Sequence, residues 1–149
     1  MSDDRTVTLH ASTVAVEGNG KDALGRAIVI EGPSGSGKSG LALRLMALGA
    51  RLVADDRTIV TREGDRLIAR APDSIAGLIE ARYVGLLPAR ALARAEIVGF
   101  LSLSETETDR LPPHRTRQIL GLERPLLHNS AAQHFAAALL HYLTHGRKD

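Results

Sequence analysis

The sequence predicts an α/β fold with a central mixed sheet, arranged as a single domain over residues 1–149. Residues 27–30 form a short apolar run of the buried-strand type, and leucines at positions 41, 45 and 48 recur at helical spacing after it. A glycine-rich segment connects the two. Further short apolar runs, separated by turn residues, follow along the chain. These features favour a partly parallel sheet with the glycine-rich segment at its edge.

The composition is that of an ordinary globular protein with an aliphatic core. Hydrophobic residues make up 44% and charged residues 24%, with two Phe, two Tyr and no Trp. The net charge is only +2 and the arginines are scattered, which argues against a nucleic-acid surface. The chain has no cysteine, no stretch of signal-peptide type and no apolar run of membrane-span length. We therefore expect a cytoplasmic protein without disulfides or a membrane partner.

The first half of the chain alternates strands with one helix. Residues 6–16 are rich in Thr and Val and predict one or two strands, and residues 17–22 predict a turn. The strand at 27–30 and the helix at 40–48 follow, with Gly49 as its C-cap. Residues 51–54 predict a second short strand, which ends at Asp55 and Asp56.

The second half predicts a hairpin, a strand, a loop and a helix. Residues 58–61 and 66–69 flank a glycine-containing linker, which is typical of a β-hairpin. Residues 72–74 predict a break in regular secondary structure. Residues 96–103 predict a buried strand, and the polar segment 104–117 predicts a mobile loop. Ser130-x-x-Gln133 has the form of a capping box, and apolar residues recur at helical steps from Ala132 to Leu143.

The glycine-rich segment fits the pattern G-x-x-x-x-G-K-[ST] without a mismatch. Its residues are Gly32, Pro33, Ser34, Gly35, Ser36, Gly37, Lys38 and Ser39. Glycines let main-chain N–H groups surround phosphate oxygens, the lysine places a charge on the β- and γ-phosphates, and the serine hydroxyl suits Mg²⁺. The preceding strand and following helix are the context that the motif requires, which a chance glycine turn would lack. The segment therefore predicts a site for a nucleoside triphosphate with Mg²⁺.

Two carboxylates follow the loop at short spacing. If strand 51–54 runs parallel to strand 27–30, both end at the same edge of the sheet, and Asp55 and Asp56 lie beside the loop. Neighbouring residues at a strand end point to opposite faces, so the two carboxylates should differ in role. We expect Asp55 to be a general base and Asp56 to act through the metal. The alternative is an ordinary Asp-Asp surface turn.

These residues resemble the catalytic domain of the HPr kinase/phosphorylase family over about residues 10–103. The family has a Glu-x-Arg-Gly-x-Gly segment after its Asp pair; here Glu80, Arg82 and Gly85 match, whereas Tyr83 replaces a glycine. His10 is similar to the family's active-site histidine. Alternatively, His10 is a plain strand histidine, and Glu80 is a surface charge paired with Arg82 on a helix.

The resemblance implies an ATP- and Mg²⁺-dependent kinase that phosphorylates a serine on the phosphocarrier protein HPr. Lys38 and the loop would bind phosphates, and Ser39 and Glu80 would bind the metal. Asp55 and Asp56 would supply the base, which His10 would tune. It further implies a homo-oligomer, since family members form similar hexamers, in a short form with the catalytic domain only.

One family segment is not recognisable. The family has a Pro-Gly-Arg-Asn-like segment whose arginine serves the reverse, phosphate-driven reaction, and residues 124–129 stand roughly in its place here. Arg124 does not match that arginine, so we expect weak phosphorolysis.

Other functions stay open from the residues alone. A small-molecule kinase would use residues 104–117 as a lid, and a non-catalytic ATP-sensing module would signal through its last helix. His134, His141 and His145 on that helix have a spacing that could also suit a metal, although exposed helix histidines are usually solvated.

Overall fold

The structure, a computed structural model, describes residues 5–18 and 24–149. Residues 19–22 of the predicted turn lie outside this part. The elements are β1 (Thr6–Leu9), β2 (Ala11–Val16), β3 (Gly25–Glu31), α1 (Lys38–Ala47), β4 (Arg51–Ala54), β5 (Thr58–Glu63), β6 (Arg66–Arg70), β7 (Leu78–Ala81), β8 (Gly85–Pro88), β9 (Ala95–Thr106), β10 (Arg115–Ile119), β11 (Leu122–Asn129) and α2 (Phe135–His145). A 3₁₀ turn occupies Asp73–Ile75.

Within the described residues, nine strands form one mixed sheet, which confirms the predicted fold class. The order is β1-β5-β6-β9-β3-β2-β4, and β11 pairs with both β9 and β10. The β3–β9 and β9–β11 pairs are parallel and the other pairs of this sheet are antiparallel. Strands β7 and β8 form a separate antiparallel hairpin.

The core lies on both faces of β3, because successive strand residues point to opposite sides. Ile28 and Ile30 face the helices and pack with Leu41 and Leu45 of α1 and Leu139 of α2. On the opposite face, Ala27 and Val29 belong to a second cluster whose further members include Val60, Leu67 and Ile119 from the two hairpins. The sheet is thus covered by helices on one side and by its own hairpins on the other.

The relation of β3 to β4 places the active-site candidates. The two strands run in the same direction, as predicted, but they are not neighbours: β2 lies between them and is antiparallel to both. Their carboxyl ends therefore share one edge of the sheet, where residues 32–39 and Asp55-Asp56 follow. Helix α1 ends at Ala47 with Leu48 as its C-cap, and Gly49 has a φ of +116°, which suits a glycine after a helix.

Three sequence-based expectations need correction. The alternative that places Glu80 and Arg82 on a helix is wrong, because Glu80 lies in β7 of a hairpin. The loop predicted at 104–117 is shorter, since β9 continues to Thr106 and β10 begins at Arg115. The capping box is wrong: α2 begins after His134, and Ser130 Oγ accepts a hydrogen bond from the Ala132 N–H.

Nowhere in residues 5–18 and 24–149 is there a helix of sufficient length and hydrophobicity to span a membrane.

Candidate active site

The phosphate loop (residues 32–39) joins β3 to α1, as its motif requires. Gly35 and Gly37 have φ values of +81° and +101°, and an added Cβ at either would meet no atom within 4 Å. These glycines are therefore needed for their backbone conformation, not for space. Gly37 is the N-cap of α1. The first N–H groups of a helix have no partner within it, so they are free to bind an anion at the loop.

Lys38 lies over this loop. Its side chain is buried, with a relative exposure of 6%, and Nζ donates to the main-chain oxygens of Gly32 at 2.7 Å and Pro33 at 3.1 Å. An ammonium has three protons, so one donor stays available for a phosphate. Ser36 Oγ is buried without a hydrogen-bond partner in the described structure. The loop thus presents a held cation and an unsatisfied hydroxyl, which fits a phosphate ligand.

Asp55 is the central carboxylate of the site. It is only 7% exposed and accepts three hydrogen bonds. Ser39 Oγ donates to Oδ1 at 2.6 Å, Ser12 Oγ donates to Oδ1 at 2.9 Å, and the Glu80 N–H donates to Oδ2 at 3.0 Å. Because a buried carboxylate is costly without partners, these donors are what keep it at this edge. Asp55 therefore joins α1, β2, β4 and β7.

Asp56 has a different environment. Its side chain is 60% exposed, and a 2.8 Å hydrogen bond joins its Oδ1 to Nε2 of His10. Its φ is +66°, a left-handed conformation that Asp tolerates better than most residues. Its N–H donates to Ser12 Oγ at 3.1 Å. The backbone at this position thus buries the carboxylate of Asp55 and leaves that of Asp56 exposed to solvent beside His10.

The donor set suits Mg²⁺ bound together with phosphates. Mg²⁺ is usually held by one or two carboxylates, a nucleotide's phosphates and waters. Ser39 and Asp55 supply oxygens at the loop. Glu80 lies on β7, where it is exposed and its main-chain N–H donates a hydrogen bond to Asp55. The part of the chain that the structure describes holds no cluster of three or more His, Cys, Asp or Glu side chains arranged for a metal. The protein alone therefore offers a partial site, which phosphate oxygens would complete.

A family model described as HPr Serine kinase C-terminal domain matches residues 6–99. The chain belongs to this family. An HPr kinase/phosphorylase of Halalkalibacterium halodurans is 43% identical over 89 residues, which are 59% of this chain and 29% of that protein. One from Aromatoleum aromaticum is 33% identical over 142 residues, covering 85% of this chain and 45% of that protein. The chain thus spans less than half the length of these relatives.

The HPr kinase fold is also found by structural comparison. A solved structure described as the Hpr(Ser) kinase/phosphatase from Coxiella burnetii matches with a TM-score of 0.74 and 25% identity, and the match covers 93% of each chain. The predicted family and fold class are confirmed by these matches.

The structure brings most of the predicted site residues to one edge. The phosphate loop, Asp55, Asp56, His10 and the Glu80 backbone are joined by direct contacts there. Arg124 is not among them: its guanidinium donates to the main-chain oxygens of Ile97, Glu123 and Asp65. His134, just before α2, and His141 and His145 within α2 are exposed; of these rings, those of His141 and His145 lie 4.5 Å apart.

Two residues at this edge were not predicted as site residues. Ser12 is fully buried and contacts both aspartates. His128 of β11 is aligned with Ser102 of β9, which is aligned in turn with Glu31, the residue before the phosphate loop. His128 Nε2 lies 3.6 Å from Glu105 Oε1. Neither position carries a local motif, so only the strand pairing reveals it.

Proposed function

We propose that this protein is an ATP- and Mg²⁺-dependent kinase that phosphorylates a serine on an HPr-like phosphocarrier protein. The observation that carries the proposal is the contact of Ser39 with Asp55 at the end of an intact phosphate loop. It couples a nucleotide site to a buried carboxylate, an arrangement suited to phosphoryl transfer. The acceptor comes from the family, whose relatives are HPr kinase/phosphorylases.

The phosphate loop and Lys38 would bind the β- and γ-phosphates. Phosphoryl transfer needs little covalent help from the protein, so positioning and neutralisation of charge determine the rate. Ser39 and Asp55, with Glu80 nearby, would hold Mg²⁺, which neutralises charge on the phosphate oxygens when bound. Asp55 is well held for this role, because three donors fix its two oxygens.

We infer that Asp56, and not Asp55, is the general base, the reverse of the division expected from the sequence. Asp56 is 60% exposed and can be reached by an acceptor hydroxyl, whereas Asp55 is 7% exposed and already bonded. In the forward step, a carboxylate oxygen of Asp56 takes the proton from the serine hydroxyl. The hydroxyl oxygen forms a bond to the γ-phosphorus, and the bond from that phosphorus to the β–γ bridging oxygen breaks, which releases ADP. His10 orients Asp56 through their hydrogen bond.

Residues 1–149 would act here as one P-loop kinase domain. Assembly into a homo-oligomer and a cytoplasmic location stay predictions.

Transfer of radiolabel from γ-labelled ATP tests the proposal. HPr, HPr with its acceptor serine replaced by alanine, and a panel of hydroxyl-bearing metabolites are each incubated with the protein and Mg²⁺. We expect label on HPr and none on its serine variant. Label on a metabolite but not on HPr would indicate a small-molecule kinase. ATP binding without any transfer would indicate a sensing module.

A further inference from the structure

A cavity lies at the end of β3 that is remote from the phosphate loop. Its volume is about 260 Å³, and it is lined by β3, β9, β11, the start of β10 with the loop before it, and the C-terminal end of α2 with the residues that follow. Arg26, the second residue of β3, lines it. Five strand steps of about 3.3 Å, or roughly 17 Å, separate Arg26 from Glu31, where the phosphate loop begins. The cavity is therefore separate from the candidate active site.

The lining of the cavity includes several cationic side chains. Its polar lining consists of Arg26, His114, Arg115, Tyr142 and Arg147. Arg115 is paired with Glu107, and Arg147 Nε lies 2.7 Å from Asp149 Oδ1. Arg26 Nε donates to the main-chain oxygen of Leu143 at 2.7 Å, and across residues 5–18 and 24–149 no carboxylate forms an ion pair with Arg26. Among the three lining arginines, Arg26 is thus the one whose charge is left without a carboxylate partner in these residues.

The cavity also has an apolar part to its lining. Val98 of β9 and Pro125, Leu126 and Leu127 of β11 line it. Tyr142 also lines the cavity: partial burial raises the pKa of its phenol, while the charges of Arg147 and Arg26 act in the opposite direction. The hydroxyl of Tyr142, which is half-buried, can donate a hydrogen bond to a ligand in the cavity. A ligand that satisfies this site would carry one anionic group on an apolar body. The volume lies just below the usual range of drug-sized pockets, which points to metabolite size.

We propose that this cavity binds a small organic anion whose carboxylate or phosphate group pairs with Arg26 and accepts a hydrogen bond from Tyr142. The apolar part of the ligand packs against Val98 and Leu127, which belong to the same face of the sheet. The proposal does not depend on the reaction at the phosphate loop.

Tyrosine fluorescence offers a direct test, because the chain has two Tyr and no Trp. In a Tyr83→Phe background, Tyr142 is the remaining fluorophore, and it lines the cavity. The probes are cyclohexanecarboxylate, cyclohexyl phosphate and the uncharged cyclohexylmethanol, which share a similar apolar ring. We expect a saturable change in fluorescence with at least one anion, and at least tenfold weaker binding of the alcohol. The stronger of the two anions identifies the chemistry of the ligand.

Substitutions of Arg26 test whether the anion that changes the fluorescence binds at this side chain. Arg26→Gln should weaken anion binding by about tenfold or more, and Arg26→Lys should restore part of it. Arg66→Gln, an exposed arginine on β6, is the matched control and should bind as the parent does. Circular dichroism melts show whether each variant is folded. If Arg26→Gln is unfolded, the proposal is tested by the affinity of Arg26→Lys for the anion and by the weaker binding of the alcohol to the parent protein. Equal binding of alcohol and anion, no saturable change, or unaltered affinity in a folded Arg26→Gln would overturn the proposal.

Discussion

The hydroxyl of Ser39 donates to Oδ1 of Asp55 at 2.6 Å, which ties the first turn of α1 to the end of β4. Asp56, the next residue, is instead joined to His10 at 2.8 Å. Two adjacent carboxylates thus belong to two different groups of residues. This separation is the basis of the proposed division between metal binding and proton transfer.

Lys38→Ala is expected to weaken Mg²⁺-ATP binding by about tenfold or more, which corresponds to roughly 1.4 kcal/mol. The substitution removes the positive charge that would pair with the phosphates, and also the hydrogen bonds that Nζ donates to Gly32 and Pro33. Calorimetry measures the affinity. Lys148→Ala is the matched control, since it removes an exposed lysine that is not part of the loop. Equal affinity of wild type and Lys38→Ala would rule out the assignment of the loop.

Phosphorolysis is expected to be weak. The guanidinium of Arg124 donates hydrogen bonds to main-chain oxygens. In the sheet, His128 is aligned through Ser102 with Glu31, the residue before the phosphate loop. Arg124 lies four residues before His128 on β11, which places it about 13 Å away along the strand. Phosphoserine-HPr with inorganic phosphate should therefore release little pyrophosphate. Release as fast as the forward reaction would show that another residue takes over the role expected of an arginine.

Tyr83→Gly is expected to stabilise the fold by about 0.5–1 kcal/mol. Tyr83 has a φ of +76° and is 97% exposed, so glycine relieves left-handed strain and loses few contacts. Urea unfolding measures the change. Val84→Gly is the control: Val84 is 74% exposed and is not among the residues with positive φ, so it should be neutral or destabilising. A loss of stability in Tyr83→Gly would mean that its ring makes contacts of its own.

Tyr142 is expected to titrate above the ordinary tyrosine value of about 10, because burial raises the pKa of its phenol. The folded state then favours the neutral phenol. The associated stability is complete below about pH 10 and is lost as the pH rises through the raised pKa. Ultraviolet absorbance of tyrosinate in a Tyr83→Phe variant isolates this group. A midpoint at or below the ordinary value would contradict the buried position.

Local patterns in the sequence located the phosphate loop and the Asp pair more closely than they located the order of the strands. The phosphate loop was recognisable because its chemistry requires fixed residues at fixed spacing. The Asp pair was placed correctly because a helix and a short strand after the loop bring Asp55 back to the same edge. Both inferences depend on fewer than thirty residues of chain.

The features that were missed depend on distant pairing. Ser12 contacts Asp55 only because β2 inserts between β3 and β4, which no local pattern reveals. The strand β11 contains Pro125 and lacks a clear alternation, so it did not read as a strand. The capping box failed because a motif of two residues, Ser130 and Gln133, does not determine where the following helix begins.

The division of roles between Asp55 and Asp56 is tested most directly by kinase assays of Asp55→Asn and Asp56→Asn across a Mg²⁺ titration. We predict that Asp56→Asn lowers turnover by about 10²- to 10⁴-fold at every Mg²⁺ concentration, with ATP binding retained, because a base is lost. Asp55→Asn should instead raise the Mg²⁺ concentration required, because a metal contact is lost. The opposite pattern would make Asp55 the base, and wild-type turnover with unchanged Mg²⁺ dependence in both variants would contradict a catalytic role for the pair.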